Sequence, residues 1–398
     1  MAGPLDGYRI IDLTSMIAGP WATMILGDQG ADVIKVETRG RGDHVRAGGN
    51  RQGGLPAHFL NNNRNKRSIT IDLKDPRGRD AFLRLAAGAD VVVQNFRPGV
   101  VERLGVDEAA VRNVAPKIVY VSISGFGEVG PYAGKPTYDP LIQAISGLAS
   151  VQGGSDDRRP RLIRTIVPDK LTAVTASQAI TAALLARERT GKGQHVRLSM
   201  LDAVIAFLWA SDMGSQTFPN AEISVQRAAS FIDLIYETKD GHMSVAVMND
   251  REWAGLTRAL ERPEWLNDER FASPSLRDAN IDERLAMTQE VLRNRTTDEW
   301  LARLEKAGVP CAPVLHRRDL TRHPQIQASG ILVETEHRDA GRLRQARPAI
   351  RFEKTPSSIR RGAPQLGEHT DEILREAGLS VAQIADLRAQ SIVGEEPT

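Results

Sequence analysis

The 398-residue chain contains a single cysteine, Cys311. One thiol allows neither an intrachain disulfide nor a cysteine-based metal cluster. The eight histidines are scattered and no H-E-x-x-H pattern occurs, so no metal site is expected. An excess of one charge is also missing. Lys plus Arg number 52 and Asp plus Glu number 50, for a formal net charge of +2. That balance speaks against a nucleic-acid partner, which usually requires a basic excess on one face. No apolar run approaches the ~18–20 residues of a membrane span. The opening MAGPLDGYRIIDL has no basic stretch leading into an apolar one. The expectation is a soluble cytoplasmic protein with no membrane partner.

What is present is enough apolar material, 41% of the chain, for two or three domains. The first third alternates short β-rich runs with helical stretches. Residues 8–13 (YRIIDL), 31–37 (ADVIKVE), 68–73 (SITIDL), 90–96 (DVVVQNF) and 117–122 (KIVYVS) read as strands. Residues 21–28 and 76–87 read as helices between them. Continuous Val/Ile runs joined by helices indicate strands buried on both faces, hence an α/β fold with a largely parallel sheet. Loops after the strand ends are then the place to seek a site. A long Ala-rich helix is predicted over about 170–187, stopped by the glycines of TGKG at 190–193, with a short strand at 194–199. After about Gln216 the character changes. Residues 233–248 suggest a hairpin turning at Asp240-Gly241, and 249–306 are mostly helical. The domains expected are 1–215, a smaller α+β domain at 225–320, and a C-terminal part at 330–398, helical near 366–387.

Several residues are chemically suggestive. Residues 125–130 (GFGEVG) fit G-x-G-x-x-G, but Pro131, Gly134 and Pro136 forbid the helix a dinucleotide site needs. A flexible glycine loop, able to close over a ligand, is the better reading. Asp169 follows Pro168 at the head of the long helix. It fits an N-cap, and it equally fits an ionised carboxylate at a helix N-terminus able to attack an activated carbonyl. Arg39, Arg41, Lys74, Arg97 and Arg103 lie in or near loops after successive strands. Each alone is best read as a solvated surface charge, but their recurrence at one sheet end suits phosphate binding. Cys311 reads as a small buried hydrophobe. Ser15 and Ser199 lack a nucleophile-elbow context. Trp21, Phe96 and Tyr138 read as core or pocket wall.

Motifs in order along the chain carry a resemblance: PLDG (4–7), AGP (18–20), GADVIKVE (30–37), NKRSI (65–69), NFRPG (95–99), SGFG (124–127), TGKGQ (190–194), GVP (308–310) and LGEHT (366–370). The chain resembles the class III CoA transferases, which include formyl-CoA transferase and the carnitine CoA transferases, with α-methylacyl-CoA racemase as a relative. The resemblance implies a Rossmann-like large domain built from both chain ends, an inserted small domain and an interlocked homodimer. It implies acyl-CoA and carboxylic-acid substrates, with coenzyme A carried as substrate and no metal or nucleotide cofactor. It places the nucleophile on Asp169. It places CoA contacts on Ile17, Ala18, Thr38, Arg39, Ile71, Asp72, Leu73, Lys74, Asn95, Phe96, Arg97, Arg103, Lys135, Tyr138 and Asp139.

Two positions depart from formyl-CoA transferase, which has glutamine at Ile17 and a basic residue at Thr38; Arg39 is a substitute for the latter. An apolar Ile17 cannot hydrogen-bond a polar acyl group and favours less polar ones. The racemase relative uses a histidine in a Gly-His-Asp context, where this chain has Pro136-Thr137-Tyr138-Asp139. A tyrosine, with an ordinary pKa of ~10, is a poor neutral-pH replacement. The expected activity is CoA transfer through an aspartyl anhydride and an aspartyl-CoA thioester. The alternatives are an acyl-CoA racemase or epimerase, and a CoA-binding protein without chemistry.

Overall fold

The computed structural model describes residues 2–221 and 234–394. The Val/Ile runs form six parallel strands: β1 Arg9–Asp12, β2 Asp32–Glu37, β3 Lys66–Thr70, β4 Val91–Gln94, β5 Val119–Ser124 and β6 His195–Ser199. Their order is β3-β2-β1-β4-β5-β6. This is the order of open dinucleotide-binding sheets, and it reverses direction between β1 and β4. At that switch point the connections diverge to opposite sides, leaving a crevice at the carboxyl ends of the strands.

Strand residues alternate between two apolar layers, as parallel strands buried on both faces require. Ile11, Ile34, Val92 and Tyr120 face one layer; Ile10, Val33, Val91, Val93, Val119 and Val121 face the other. The first layer is covered by α2 (Pro76–Ala87) and by α8 (Thr370–Glu376) and α9 (Val381–Ala389), whose Ile373, Leu374, Ile384 and Leu387 are buried there. The second is covered by α1 (Ala18–Asp28) and α4 (Val167–Thr190) through Ala22, Leu26, Ala173, Ala176, Ile180 and Ala183. Small side chains let these helices approach closely. Helix α4 stops at Gly191, whose φ of 70° suits glycine alone without penalty.

The chain packs as two units, 1–227 with 330–398, and 228–329. The second unit carries an antiparallel sheet of β7 (Ile235–Glu237), β8 (His242–Val245) and β9 (Cys311–Pro313). The hairpin turns at Asp240-Gly241 as expected; its first predicted residue, 233, lies outside the described residues. Helices α6 (Asp250–Ala259) and α7 (Thr297–Lys306) pack a core of Trp253, Trp265, Phe271 and Trp300 on it. In the first unit, strands β10 (Leu332–His337) and β11 (Gly341–Ala346) form a two-stranded ribbon. Among the described residues no helix is long and apolar enough to cross a membrane.

Candidate active site

Pro168 is already inside helix α4, which begins at Val167 after the flanking residue Ile166. Asp169 therefore sits at the third helical position and is not the N-cap, a correction to the sequence reading. Proline's fixed φ suits it to a first turn, so the helix starts ahead of it. The capping task falls elsewhere. Helix α3 (Asp139–Ile145) presents Asp139, and its Oδ2 accepts the Asp169 backbone N–H at 3.1 Å. Gln143, one turn on, donates Nε2–H to Asp139 Oδ1 at 2.7 Å and accepts the Ile163 N–H at 2.9 Å. Asp139 is 3% exposed. Its carboxyl is thus engaged with the head of α4.

Relieved of capping, the Asp169 side chain lies near the backbone N–H of Ala18, at the start of α1. Burial, then the nearby Asp139 carboxyl, push the Asp169 carboxyl up to about 6, with the Ala18 N–H opposing. The sequence reading expected the helix N-terminus to keep this group readily ionised; loss of hydration outweighs that effect here. At neutral pH most of the population is still carboxylate, and a carboxylate short of hydration is a more reactive nucleophile.

The loop that delivers Ala18 rests on buried charge. Asp12 pairs with Lys66 at 2.8 Å, and Lys35 with Asp43 at 2.8 Å, all four side chains fully buried. Lys35 also donates to the Thr14 carbonyl at 2.8 Å, and Asp43 Oδ1 accepts the Met16 N–H at 3.0 Å. Glu37 takes Arg46 in a two-point pair, both bonds 2.8 Å, and Arg46 lies over the Phe59 ring. None of these pairs was assigned from sequence. The available signal was the alternation of GADVIKVE, which puts Lys35 and Glu37 inside a strand with no apolar reason to be there.

Because the strands are parallel, the remaining predicted positions fall at one end of the sheet. Ile17 and Ala18 follow β1, Thr38 and Arg39 follow β2, and residues 71–74 follow β3. Asn95, Phe96 and Arg97 follow β4, with Arg103 just beyond, and Lys135 and Tyr138 follow β5. Lys74, Arg97 and Arg103 are exposed and make no ion pair among the described residues. Arg39 bonds the Gly394 and Ser391 carbonyls, tying its loop to the chain's C-terminal segment. Ile71 is buried in the core, and the Asp72 N–H is bonded to the Ile392 carbonyl. Leu73 and Phe96 pack partly against the same core. Asn95 has both carboxamide atoms on Ser15.

The glycine loop after β5 forms no helix before Asp139, as Pro131 and Pro136 dictate. A Cβ on Gly125 would lie 1.9 Å from Thr137 Cγ2, so any larger residue there would displace Thr137. Phe126 packs edge-on against Tyr132, and the Lys135 ammonium lies 3.3 Å above that ring. Tyr138 is 63% exposed. Among the other candidates, Ser199 caps helix α5 (Met200–Trp209) by accepting the Asp202 N–H. Cys311 is half-buried, and burial with Glu305 nearby pushes its thiol up, away from thiolate chemistry.

Comparison with known proteins matches this geometry to one family. The profile of CoA-transferase family III spans residues 5–370. Human succinyl-CoA:glutarate CoA-transferase is 34% identical over 380 residues, covering 94% of this chain and 86% of its own. Acetyl-CoA:oxalate CoA-transferase of Acetobacter aceti is 34% identical over 376 residues, covering 94% and 96%. The crystal structure of a CAIB/BAIF family protein from Brucella suis superposes with a TM-score of 0.82 at 34% identity, covering 95% and 100%. With a parallel sheet open at its switch point and a family profile running nearly end to end, this chain belongs to CoA-transferase family III and is an enzyme of that family.

Proposed function

We propose that the enzyme moves CoA between two carboxylic acids with Asp169 as covalent relay. The carboxylate of Asp169 attacks the thioester carbonyl of the donor acyl-CoA; the C–S bond breaks and CoA leaves as thiolate, giving a mixed anhydride. The thiolate attacks the aspartyl carbonyl, expelling the donor carboxylate and leaving an aspartyl-CoA thioester. The acceptor carboxylate attacks that thioester and frees the thiolate again. Thiolate attack on the acceptor's carbonyl in the second anhydride yields the new acyl-CoA and restores Asp169. Overall one thioester is exchanged for another, so no ATP is consumed. The Ala18 N–H, near the carboxylate at rest, is placed to stabilise the aspartyl oxygen as charge develops. The glycine loop at 124–130 shields the intermediates from water.

One observation carries this reading: the helix-capping role belongs to Asp139, which leaves the Asp169 carboxyl near the Ala18 N–H and with an elevated pKa. The unpaired Lys74, Arg97 and Arg103 suit the phosphates of CoA. The relatives' names put small dicarboxylic acids first among acceptors to test; Ile17, half-buried at the head of α1, puts less polar acids beside them. Asp169→Asn should lower turnover by more than about 10³-fold, the scale on which covalent relays fail, with CoA affinity nearly unchanged. Hydroxylamine trapping should give a hydroxamate at position 169 of the wild type during turnover. Full activity in the variant would refute the assignment.

A homodimer is part of the same proposal. Helix α5, MLDAVIAFLW, carries one charged residue, yet Phe207 and Trp209 are 53% and 49% exposed. Val174 and Leu185 of α4 are 50% and 52% exposed. A helix apolar on all sides is normally covered, and a second copy of the chain is the proposed cover. Sedimentation at the mass of one chain across micromolar concentrations would rule it out.

A further inference from the structure

The end of β4 and the end of β1 face each other across the switch point, and Asn95 bridges them. Its Oδ1 accepts the Ser15 N–H at 3.0 Å, and its Nδ2 donates to the Ser15 carbonyl at 2.9 Å. A carboxamide, with its acceptor and donor on separate atoms, satisfies both backbone groups of one residue at once, which an acceptor-only carboxylate cannot do. Ser15 is followed by Met16, whose φ of 70° lies in the left-handed region that a non-glycine residue rarely adopts. Such a conformation persists only where its surroundings hold it. The holders are visible: Asn95 grips Ser15, and Asp43 accepts the Met16 N–H. Two residues further on, the Ala18 N–H lies near the Asp169 carboxyl. Two amides in four residues are thus held by one partner each, and the third, that of Ala18, lies near the nucleophile.

We infer that Asn95 is a positioning residue: by clamping Ser15 it holds the strained turn that aims the Ala18 N–H at Asp169. This rests on Asp169 being the nucleophile. It also changes what is expected of Asn95, which the family resemblance marks as a CoA contact. A CoA contact acts on affinity, whereas a clamp acts on the chemical step. Releasing the clamp lets the Met16 backbone relax toward an ordinary φ and carries the Ala18 N–H away from the carboxyl. The misplacement is of the size that costs about 10²-fold in rate.

The test uses the full chain with Asn95→Ala and Asn95→Asp. The second keeps the side chain's shape and its acceptor toward the Ser15 N–H, but turns an oxygen on the Ser15 carbonyl. Thermal unfolding of each variant establishes that it is folded; if Asn95→Ala is not, Asn95→Asp carries the test. The result expected is a fall in kcat of about 10²-fold, slower formation of the Asp169 hydroxamate, and CoA affinity by calorimetry within about twofold of wild type. The acid limb of kcat/KM should also move to higher pH, because the Ala18 N–H is what opposes burial and Asp139 at Asp169. A merely structural change leaves that limb in place. CoA affinity weakened with kcat unchanged would overturn the inference and make Asn95 a ligand contact. A wild-type enzyme that turns over without any adduct at Asp169 would overturn the nucleophile reading instead.

Discussion

The two ends of the six-stranded sheet treat charge in opposite ways. At the amino end, charges around β1 to β4 are answered. Arg9 pairs with Asp32 at 3.0 Å and Glu376 at 2.8 Å, Arg67 with Asp32, Glu372 and Glu376, and Arg187 with Asp90 at 2.8 Å. At the carboxyl end the inner layer is paired and buried, but Lys74, Arg97 and Arg103 stand outside it in solvent. Paired ends hold a fold together; exposed, unanswered cations beyond the carboxyl ends of the strands suit a ligand that brings its own negative charge. The difference also ranks the residues by what their loss should do.

The buried inner layer should be the most sensitive. Lys35 is fully buried between Asp43, Asp12 and Glu37, which together hold its ammonium charged despite desolvation. Lys35→Met leaves Asp43 buried without a cation and frees the Thr14 carbonyl. The expected loss is about 3–5 kcal/mol, the usual consequence of breaking one side of a buried pair, read by chemical denaturation. A loss below about 1 kcal/mol would show that this layer is no more important to folding than a surface pair.

Asp169 should show the opposite sign. Its carboxyl lies at about 6 against an ordinary 3.8. A carboxyl raised on folding contributes stability that is fully present when pH is below its unfolded value, and this is lost as pH rises through its folded value. Asp169→Asn does not titrate. Relative to wild type it should therefore gain stability between pH about 4 and about 6 and hold the gain above, by up to about 2–3 kcal/mol. Denaturation midpoints for both chains across that window check it. A constant difference across the window would mean that Asp169 is as well solvated as an unfolded aspartate.

Regular periodicity made the sheet and its α/β class legible, because runs such as VVVQ and KIVYV are too apolar for an edge and too β-branched for a helix. The long helix was legible for its Ala content and its glycine stop. Its first turn was not, since Pro-Asp fits both a residue pair ending in an N-cap and an N2–N3 pair, and only the position of Asp139 separates them. Asp139 and Gln143 stand four apart on one helix, a spacing at which Gln and Asp side chains bond, but nothing local says that the pair also serves residue 169. The ribbon of β10 and β11 went unread because its LVETEH and GRLRQA alternate without a strongly apolar face. Lys35 reads as a surface cation until the fold brings Asp43 beneath it.

The outer cations at the carboxyl end come next in expected effect. Arg97→Ala and Arg103→Ala should each raise the KM for acyl-CoA about tenfold, the scale of one charge-assisted bond to phosphate, with kcat and stability little changed. The increase should shrink at high salt, because both guanidinium groups are in solvent. Equal KM values for wild type and variants at low salt would place the phosphates elsewhere.

At the amino end the same substitution should do the reverse. Arg9 gives up two partners in Arg9→Ala, yet its side chain is 29% exposed and those of Asp32 and Glu376 are 36% and 34% exposed. Partly hydrated pairs of this kind contribute about 1 kcal/mol at most. Arg67 also remains to hold Asp32 and Glu376. The expected result is a small drop in unfolding free energy and a KM for acyl-CoA equal to that of wild type. Arg9 and Arg97 then form a matched pair of arginine deletions on one sheet, one read in stability and the other in affinity. A KM that rose for both would mean that the ends communicate through the sheet, and the division between a structural end and a ligand end would fail.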